Sequence, residues 1–388
     1  MTFVALTLEE SKSLLALCRA GRLYEIEDWI QSGKSLEVSP GVRTTPLQVA
    51  IATGFHSLIE LLVRNEANTR NKNTALIDAI ERRRLHLVEL LVEHGAELLS
   101  VPFLDVLRTW DPKIIRFFLD KGADVITGAP FAVAFGEKVR TALRPFVEYK
   151  KAHPEQAPAL QEQVDRALRH FCYEGDLKWI SLLVWAGADP RSRGPTLDDR
   201  WADDPDCYTT ALKEACSKGN LEVLKKLKID PHTDDLSELL SSAALTSKET
   251  IEYLLSLGAK TNDKPHGGSS ALDRCLWRLG WGSHDSFFNK RLSSKYDVSG
   301  AFECIRLLIE RGAHWAPEDK TEVNSVRKAL YQCEPAVVVD LIKLLARSKA
   351  CPEETLEQLL DAPRMREHLS SLGMRLIGTA PKRLSNRT

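Results

Sequence analysis

Apolar positions along this chain recur as pairs of short helical stripes, most clearly from Thr45 to Asn68, TPLQVAIATGFHSLIELLVRNEAN. Leu47, Ala50 and Ile51 fall on one face at helical spacing. Thr45 is placed to cap this helix, with Pro46 at its first position, where the missing N–H costs nothing. Gly54 ends it, because a left-handed residue there favours a side chain without a Cβ. A second stripe follows with Leu58, Ile59, Leu61, Leu62 and Val63. Two helices this short cannot bury their apolar faces alone, so the pattern predicts a stack of similar pairs.

The copies follow. Thr74 to Glu97, TALIDAIERRRLHLVELLVEHGAE, aligns with the first pair when Thr45 is set on Thr74. Leu47 then meets Leu76, Ala50 meets Ala79, Ile59 meets Val88 and Leu62 meets Leu91, and the helix-ending Gly95 falls opposite Glu66. This pattern, TPLxxA…G…hhxLLhxxGA with h apolar, resembles the ankyrin repeat. The resemblance implies an all-α, ankyrin-type solenoid of helix–turn–helix repeats. It also implies hairpin-like fingers between repeats and a concave face built from the first helices of successive pairs.

Read in that register, Lys12 to Leu36 is a divergent first pair, with Leu14, Leu17, Gly21, Ile26, Trp29, Ile30 and Gly33 in place. Its start lies 33 residues before Thr45, the period of the family. A pair at 101–125 keeps Phe103, Ile115, Phe118 and Gly122. The intervals shorten to 29 and 27 residues, and the fingers are expected to shrink to tight loops. Residues 126–162 read as a degenerate repeat, with an inner helix at 130–135 and an outer one at 138–151, followed by a polar linker. Register returns at 167–190 with Leu168, Gly175, Ile180, Leu183 and Gly187, and continues through 210–227 and 237–260. Another pair is divided, beginning at Ser270 and finishing at 302–315. Helices at 322–332, 335–347, 353–360 and 364–372 are expected to cap the stack, before a frayed tail. The expected division is 1–125, 126–162, 163–315 and 316–388. Nine or ten pairs are expected in all, with divergent terminal units and two loop insertions.

Composition narrows the function without naming it. The 388 residues carry 53 basic and 54 acidic side chains, a formal charge of −1, so the chain has no global attraction for nucleic acid or anionic membrane. No run of 18 apolar residues is present, and MTFVALTLEESKS lacks the basic opening of a signal peptide. None of the eight cysteines forms a CxxC pair, and Cys18, Cys172 and Cys216 fall on apolar stripes. Buried free thiols in a cytoplasmic protein are expected, without a zinc site. Phosphate-binding, zinc-protease and nucleophile-elbow motifs are missing from the sequence. His56 is expected to bond between neighbouring turns, as the resemblance implies. His86 sits one position further along its own pair.

The expected role is that of a non-catalytic, monomeric scaffold for a protein partner, with no cofactor, no metal and no membrane. Candidate contacts sit where the pattern breaks. The connector 191–208 places Asp198, Asp199, Asp203 and Asp204 around Trp201, a combination of apolar anchor and orienting charge suited to a basic protein surface. The insertion 280–300 carries Trp281, Phe287, Phe288, Lys290 and Arg291. Aromatic and basic residues interleaved in this way suit a protein contact or, as the alternative, single-stranded nucleic acid. Trp110, in an inter-helix turn, is a further candidate anchor. The other alternative is an enzyme or toxin activity in 126–162 or 316–388, although neither segment holds a nucleophile–base pair.

Overall fold

The computed structural model describes residues 6–66, 68–197, 204–244, 246–266, 268–281, 298–317, 323–324, 326–327, 330 and 335–360. They form helices and no extended strand. Contacts divide the chain into two units, Met1–His170 with Lys178–Tyr208, and Phe171–Leu177 with Thr209–Thr388.

The first unit opens with four helix pairs: α1 (Leu8–Ala20) and α2 (Leu23–Gln31), α3 (Pro46–Thr53) and α4 (His56–Asn65), α5 (Thr69–Glu81) and α6 (Leu85–Glu93), α7 (Phe103–Leu107) and α8 (Pro112–Asp120). α9 (Pro130–Gly136) and α10 (Leu143–Ala152) form the fifth pair. α11 (Ala157–Glu174) belongs to this unit as far as His170, and α12 (Leu177–Trp185) from Lys178. First helices pack on first helices (α1, α3 and α5 in series, then α7 with α9), and second helices on second helices (α2, α4 and α6 in series). The aligned apolar positions carry this stacking: Leu47, Leu76, Ile59, Val88, Leu62 and Leu91 are all buried.

Capping chemistry sets the helix starts. Thr45 and Gln48 form a reciprocal capping box, Gln48 N–H donating to Thr45 Oγ1 (3.2 Å) and Thr45 N–H to Gln48 Oε1 (3.1 Å). The third pair departs from expectation. Its first helix begins at Thr69 and is capped by Asn68, whose side chain accepts from Arg70 N–H at 2.9 Å. Thr74, expected at the start, lies inside this helix and donates its hydroxyl to Arg70 O at 2.9 Å. The connector before it is only three residues long, as the shortened interval implies. Its Glu66 occupies the place of a helix-ending glycine without a left-handed backbone. The buried carboxylate instead accepts from Asn68 N–H and the Asn71 side chain.

Residues 130–152, short of motif residues, are held by aromatic packing. Phe131 meets Phe103 and Phe146 edge-on at 5.5 and 5.0 Å, and Phe135 meets Phe146 at 5.3 Å. Residues 157–162, expected in a linker, are the first turns of α11. Two prolines do not oppose this: Pro154 lies in the turn before the helix, and Pro158 at its second residue, where no N–H is needed.

The second unit contains α13 (Ala211–Ser217), α14 (Leu221–Leu227), α15 (Leu236–Ala243), α16 (Lys248–Ser256), α17 (Ala271–Trp281) and α18 (Val298–Glu310), followed by α19 (Pro335–Ser348) and α20 (Glu353–Leu360). α13, α15 and α17 pack in series, as do α14, α16 and α18, and α19 continues on α18. The insertion between the members of one pair is shorter than the expected 280–300, because α17 runs through Trp281 and α18 starts at Val298. Trp315 is buried after α18, its N–H donating to Ala350 O at 2.6 Å. The helix expected at 364–372 lies outside the described residues.

Candidate functional site

Within the first unit, the short α7 leaves an open groove against α5 of about 340 Å³. Ile77, Ile80, Val101 and Pro102 give it an apolar floor, and Glu81, Arg83, Asp105, Arg108 and Thr109 its polar walls. α7 has five residues where α5 has thirteen, which is why this groove opens. Apart from the groove, two exposed apolar side chains stand at matching places in the successive connectors after α6 and α8. Leu99 follows Glu97 by two residues and is 76% exposed; Ile126 follows Asp124 by two and is 42% exposed. Their neighbours Glu97 and Asp124 are held locally: Glu97 exchanges bonds with the Asn73 side chain, and Asp124 accepts from the backbone N–H of Ile126 and Thr127. Hydrogen bonds from Thr127 and Ile126 hold the Asp124 carboxyl below its usual range.

One wall of the groove is fixed by Arg108. Its guanidinium grips Glu137 with two bonds, Nε to Oε2 at 2.9 Å and Nη2 to Oε1 at 2.5 Å, and gives a third to Asp105 at 3.2 Å. A bidentate pair of this kind fixes direction as well as distance. The Arg108 bonds pull the Glu137 carboxyl below the ordinary range. Two walls of the groove are therefore set by one side chain tied to the next repeat.

A second groove of about 390 Å³ lies between the first two connectors, lined by Ile30, Lys34, Leu36, Glu37, Glu66 and Asn68 among others. Trp29 lies under Lys34 Nζ, 4.5 Å from the ring centre. His56 and His86, on successive turns, are both exposed and bring their rings to 5.4 Å.

The expected contact residues divide sharply. Trp110 is exposed and sits in the α7–α8 turn. Asp204 is exposed beside a short 3₁₀ turn, Pro205–Cys207. Asp198, Asp199, Trp201, Asp203, Phe287, Phe288, Lys290 and Arg291 lie outside the described residues, and Trp281 is placed only as the last residue of α17. The stem of the acidic connector is described, and it is rigidly attached. Arg169, wholly buried in α11, donates to Pro195 O (2.8 Å) and Ser192 O (3.1 Å) and pairs with Glu162. Arg166 Nε donates to Thr196 O at 2.7 Å, and Asp165 accepts from Asp189 N–H at 2.7 Å. Burial, opposed by Arg169, raises the Glu162 carboxyl.

Among the described residues, no group of three or more His, Cys, Asp or Glu is arranged to hold a metal. Among the same residues, no helix is long and apolar enough to cross a membrane. Cys18, Cys172, Cys216, Cys275, Cys304 and Cys351 are buried free thiols, and Cys207 is exposed. Burial pushes Cys18 up to about 12, far from the thiolate form that reacts.

The stacking of helix pairs agrees with what residues 14–101 match: the family model of ankyrin repeats, in three copies. These residues are ankyrin repeats. The helix pairs beyond them continue an all-helical, ankyrin-type solenoid within each unit. An ankyrin repeat and KH domain-containing protein of Caenorhabditis briggsae, CBG24701, is 31% identical over 193 residues, covering 46% of this chain and 7% of that protein. The similarly named mask-1 of Caenorhabditis elegans is 23% identical over 263 residues, covering 57% of this chain and 10% of its own length. The chain thus spans a tenth or less of the curated relatives it matches. Among solved structures, the ankyrin repeat domain of Bcl-3, described as a member of the IkappaB protein family, aligns with TM-score 0.31 and 17% identity over 67% of this chain and 91% of that one. Human ASB11 aligns with TM-score 0.26 and 16% identity over 78% of this chain and 99% of its ankyrin domain. Ankyrin repeats are in general modules for protein–protein interaction, and typically non-enzymatic.

Ile77, Leu99 and Ile126 were not among the residues expected to make contacts. Ile77, inside α5, carries no such signal; that of Leu99 and Ile126 lies in the alignment itself, since a connector that carries an apolar residue two places after its acidic one, twice in succession, has no need of it for stacking.

Proposed function

We propose that the chain is a non-catalytic scaffold whose first unit binds a protein partner along the first-helix face and its connectors. The observations that carry this reading are the groove between α5 and α7 and the apolar side chains of Leu99 and Ile126, exposed in the connectors after α6 and α8. Apolar side chains in a groove walled by fixed polar groups are what a protein interface uses for affinity and orientation. Binding here is complementarity of surfaces, with no covalent step, cofactor or metal. The scaffold acts as a monomer in a reducing, cytoplasmic setting, to which its buried free thiols are suited. The acidic connector around Trp201, whose stem at 192–195 Arg169 holds, supplies a second contact.

The test is affinity capture from native lysate with the full chain, comparing wild type with Leu99→Asp, Ile126→Asp and Trp201→Ala, each checked for an unchanged melting curve. Loss of the same captured protein from the Leu99 and Ile126 variants supports the connector side of this contact surface. A capture profile unaffected by both would reject it.

A further inference from the structure

Each of the first five helix pairs turns over a residue in the left-handed conformation, and in the first two that residue is glycine: Gly21 at φ +67° and Gly54 at φ +82°. In the next three pairs it is Arg83 at +55°, Trp110 at +60° and Lys138 at +65°. The hydrogen bonds show that Gly21, Arg83, Trp110 and Lys138 hold equivalent positions, while Gly54 N–H donates four residues back, to Ala50 O. The N–H groups of Gly21, Arg83, Trp110 and Lys138 donate to Cys18, Ile80, Leu107 and Phe135, each three residues back. The following N–H bonds five residues back after Gly21, Arg83 and Lys138, which is the usual close of a helix on a left-handed residue.

A bulky side chain in this conformation is unfavourable, and glycine is the residue that relieves it. Nothing in the turn geometry calls for anything else, as Gly21 and Gly54 demonstrate in the same unit. Three successive replacements by two cations and a tryptophan place those side chains along one edge of the stack. The surrounding turns repeat the bias. Residues 81–86, 108–113 and 136–141 hold seven basic side chains against three carboxylates, in a chain whose overall charge is −1. Glu137 and Arg108 pair with one another, which leaves six basic side chains against Glu81 and Asp111, and Asp111 also caps α8 by accepting from Lys113 N–H. Trp110 stays 41% exposed among them. Arg83 and Arg108 both line the α5–α7 groove, so this edge is where that groove ends.

We propose that the edge formed by Arg83, Trp110 and Lys138 is the docking site for an acidic segment of the protein partner, its carboxylates on the turn cations and an apolar side chain against Trp110 and into the groove. This rests on the reading of the first unit as a protein-binding scaffold and adds the chemistry of the occupant. A protein segment fits better than a nucleic acid. The cations are interrupted by Glu81, Asp111 and Glu137, which break the continuous positive track that a phosphate backbone follows. Separate carboxylates pair with separate guanidinium groups under no such constraint.

The test uses the purified full chain and fluorescence anisotropy at low salt. The probes are a fluorescein-labelled peptide of alternating glutamate and leucine, a matching lysine–leucine peptide and single-stranded oligothymidine. The proposal expects the glutamate peptide to bind best and to weaken as salt rises. Arg83→Gly and Trp110→Gly should each weaken it by at least about tenfold, the loss typical of an interface anchor. Relief of the left-handed strain and the greater freedom of the unfolded chain oppose each other in these variants, so the melting midpoint should stay within about 2 °C. Stronger binding of oligothymidine or of the lysine peptide overturns the proposal. So does absence of binding by the glutamate peptide, or undiminished binding by both variants. Leu99→Asp, run alongside, separates the two readings: loss of captured partner there with no peptide effect at Arg83 leaves the scaffold standing without this occupant.

Discussion

Arg169 fills the space that a side chain on Gly194 would need. A Cβ built on Gly194 would lie 2.6 Å from Arg169 Nη2 and 2.7 Å from Glu162 Oε1. The connector thus closes directly over the buried Arg169 guanidinium, and its carbonyls at 192 and 195 complete the guanidinium's bonding. Arg169→Met should destabilise the first unit by about 2–4 kcal/mol, since the loss of one partner leaves buried acceptors unsatisfied. Gly194→Ala should cost about 1–3 kcal/mol through overpacking. Urea denaturation measures both. A Gly194→Ala variant as stable as wild type would mean that the connector moves freely off α11.

Gln163 makes a similar bridge to a different connector. It is buried, donates Nε2 to Val125 O at 2.8 Å and accepts from Phe131 N–H at 2.9 Å. Gln163→Leu should lose about 2–4 kcal/mol, because two buried backbone groups lose their partner. Gln163→Glu retains the acceptor but sets a carboxylate against Val125 O. Its folded-state pKa is then raised above the unfolded value, so the variant should regain stability relative to wild type as pH falls through that raised value. A parallel pair of stability–pH curves would count against the bridge.

Leu62 and Leu91 occupy the same place in successive repeats and are fully buried. Leu91→Ala should cost about 2–5 kcal/mol. Because stacked repeats depend on their neighbours, hydrogen exchange should quicken in α4 as well as in α6. Leu99→Ala, on an exposed side chain, should change stability by no more than about 0.5 kcal/mol. Equal losses at Leu91 and Leu99 would contradict the division between stacking and contact residues.

The stack was legible in the sequence because repetition amplifies a weak pattern. Leu62 alone says little, but Leu62 over Leu91, with Gly54 and Gly95 in place, fixes the helix pair. The segment 126–162 was less legible because its stability comes from Phe131, Phe135 and Phe146 meeting across helices, which no local spacing records. The polar bridges from Gln163 and Arg169 were invisible for the same reason: each links residues more than twenty positions apart. The groove escaped notice because it comes from the shortness of α7, and an absent pair of helical turns leaves no motif. Trp110 was legible as a conspicuous residue in a turn, but its left-handed backbone, shared with Arg83 and Lys138, is evident only in the structure.

The Arg108–Glu137 clamp gives the groove a pH dependence. Hydrogen bonds from Arg108 place the Glu137 carboxyl below the ordinary glutamate value of 4.5. A group whose folded pKa is depressed contributes stability that is present above the unfolded pKa and is lost as pH falls through the folded one. The pair is partly exposed, so the loss should be small, under about 1 kcal/mol. Wild type should therefore lose stability below pH 4.5 more steeply than Glu137→Gln, which has no proton to take up at this site. Urea midpoints at successive pH values make the comparison. The chemical shift of Arg108 Nε–H should move over the same interval in wild type, because its acceptor is being protonated. If the two proteins fall with equal slope and the Arg108 signal stays fixed, then Glu137 does not hold that wall of the groove.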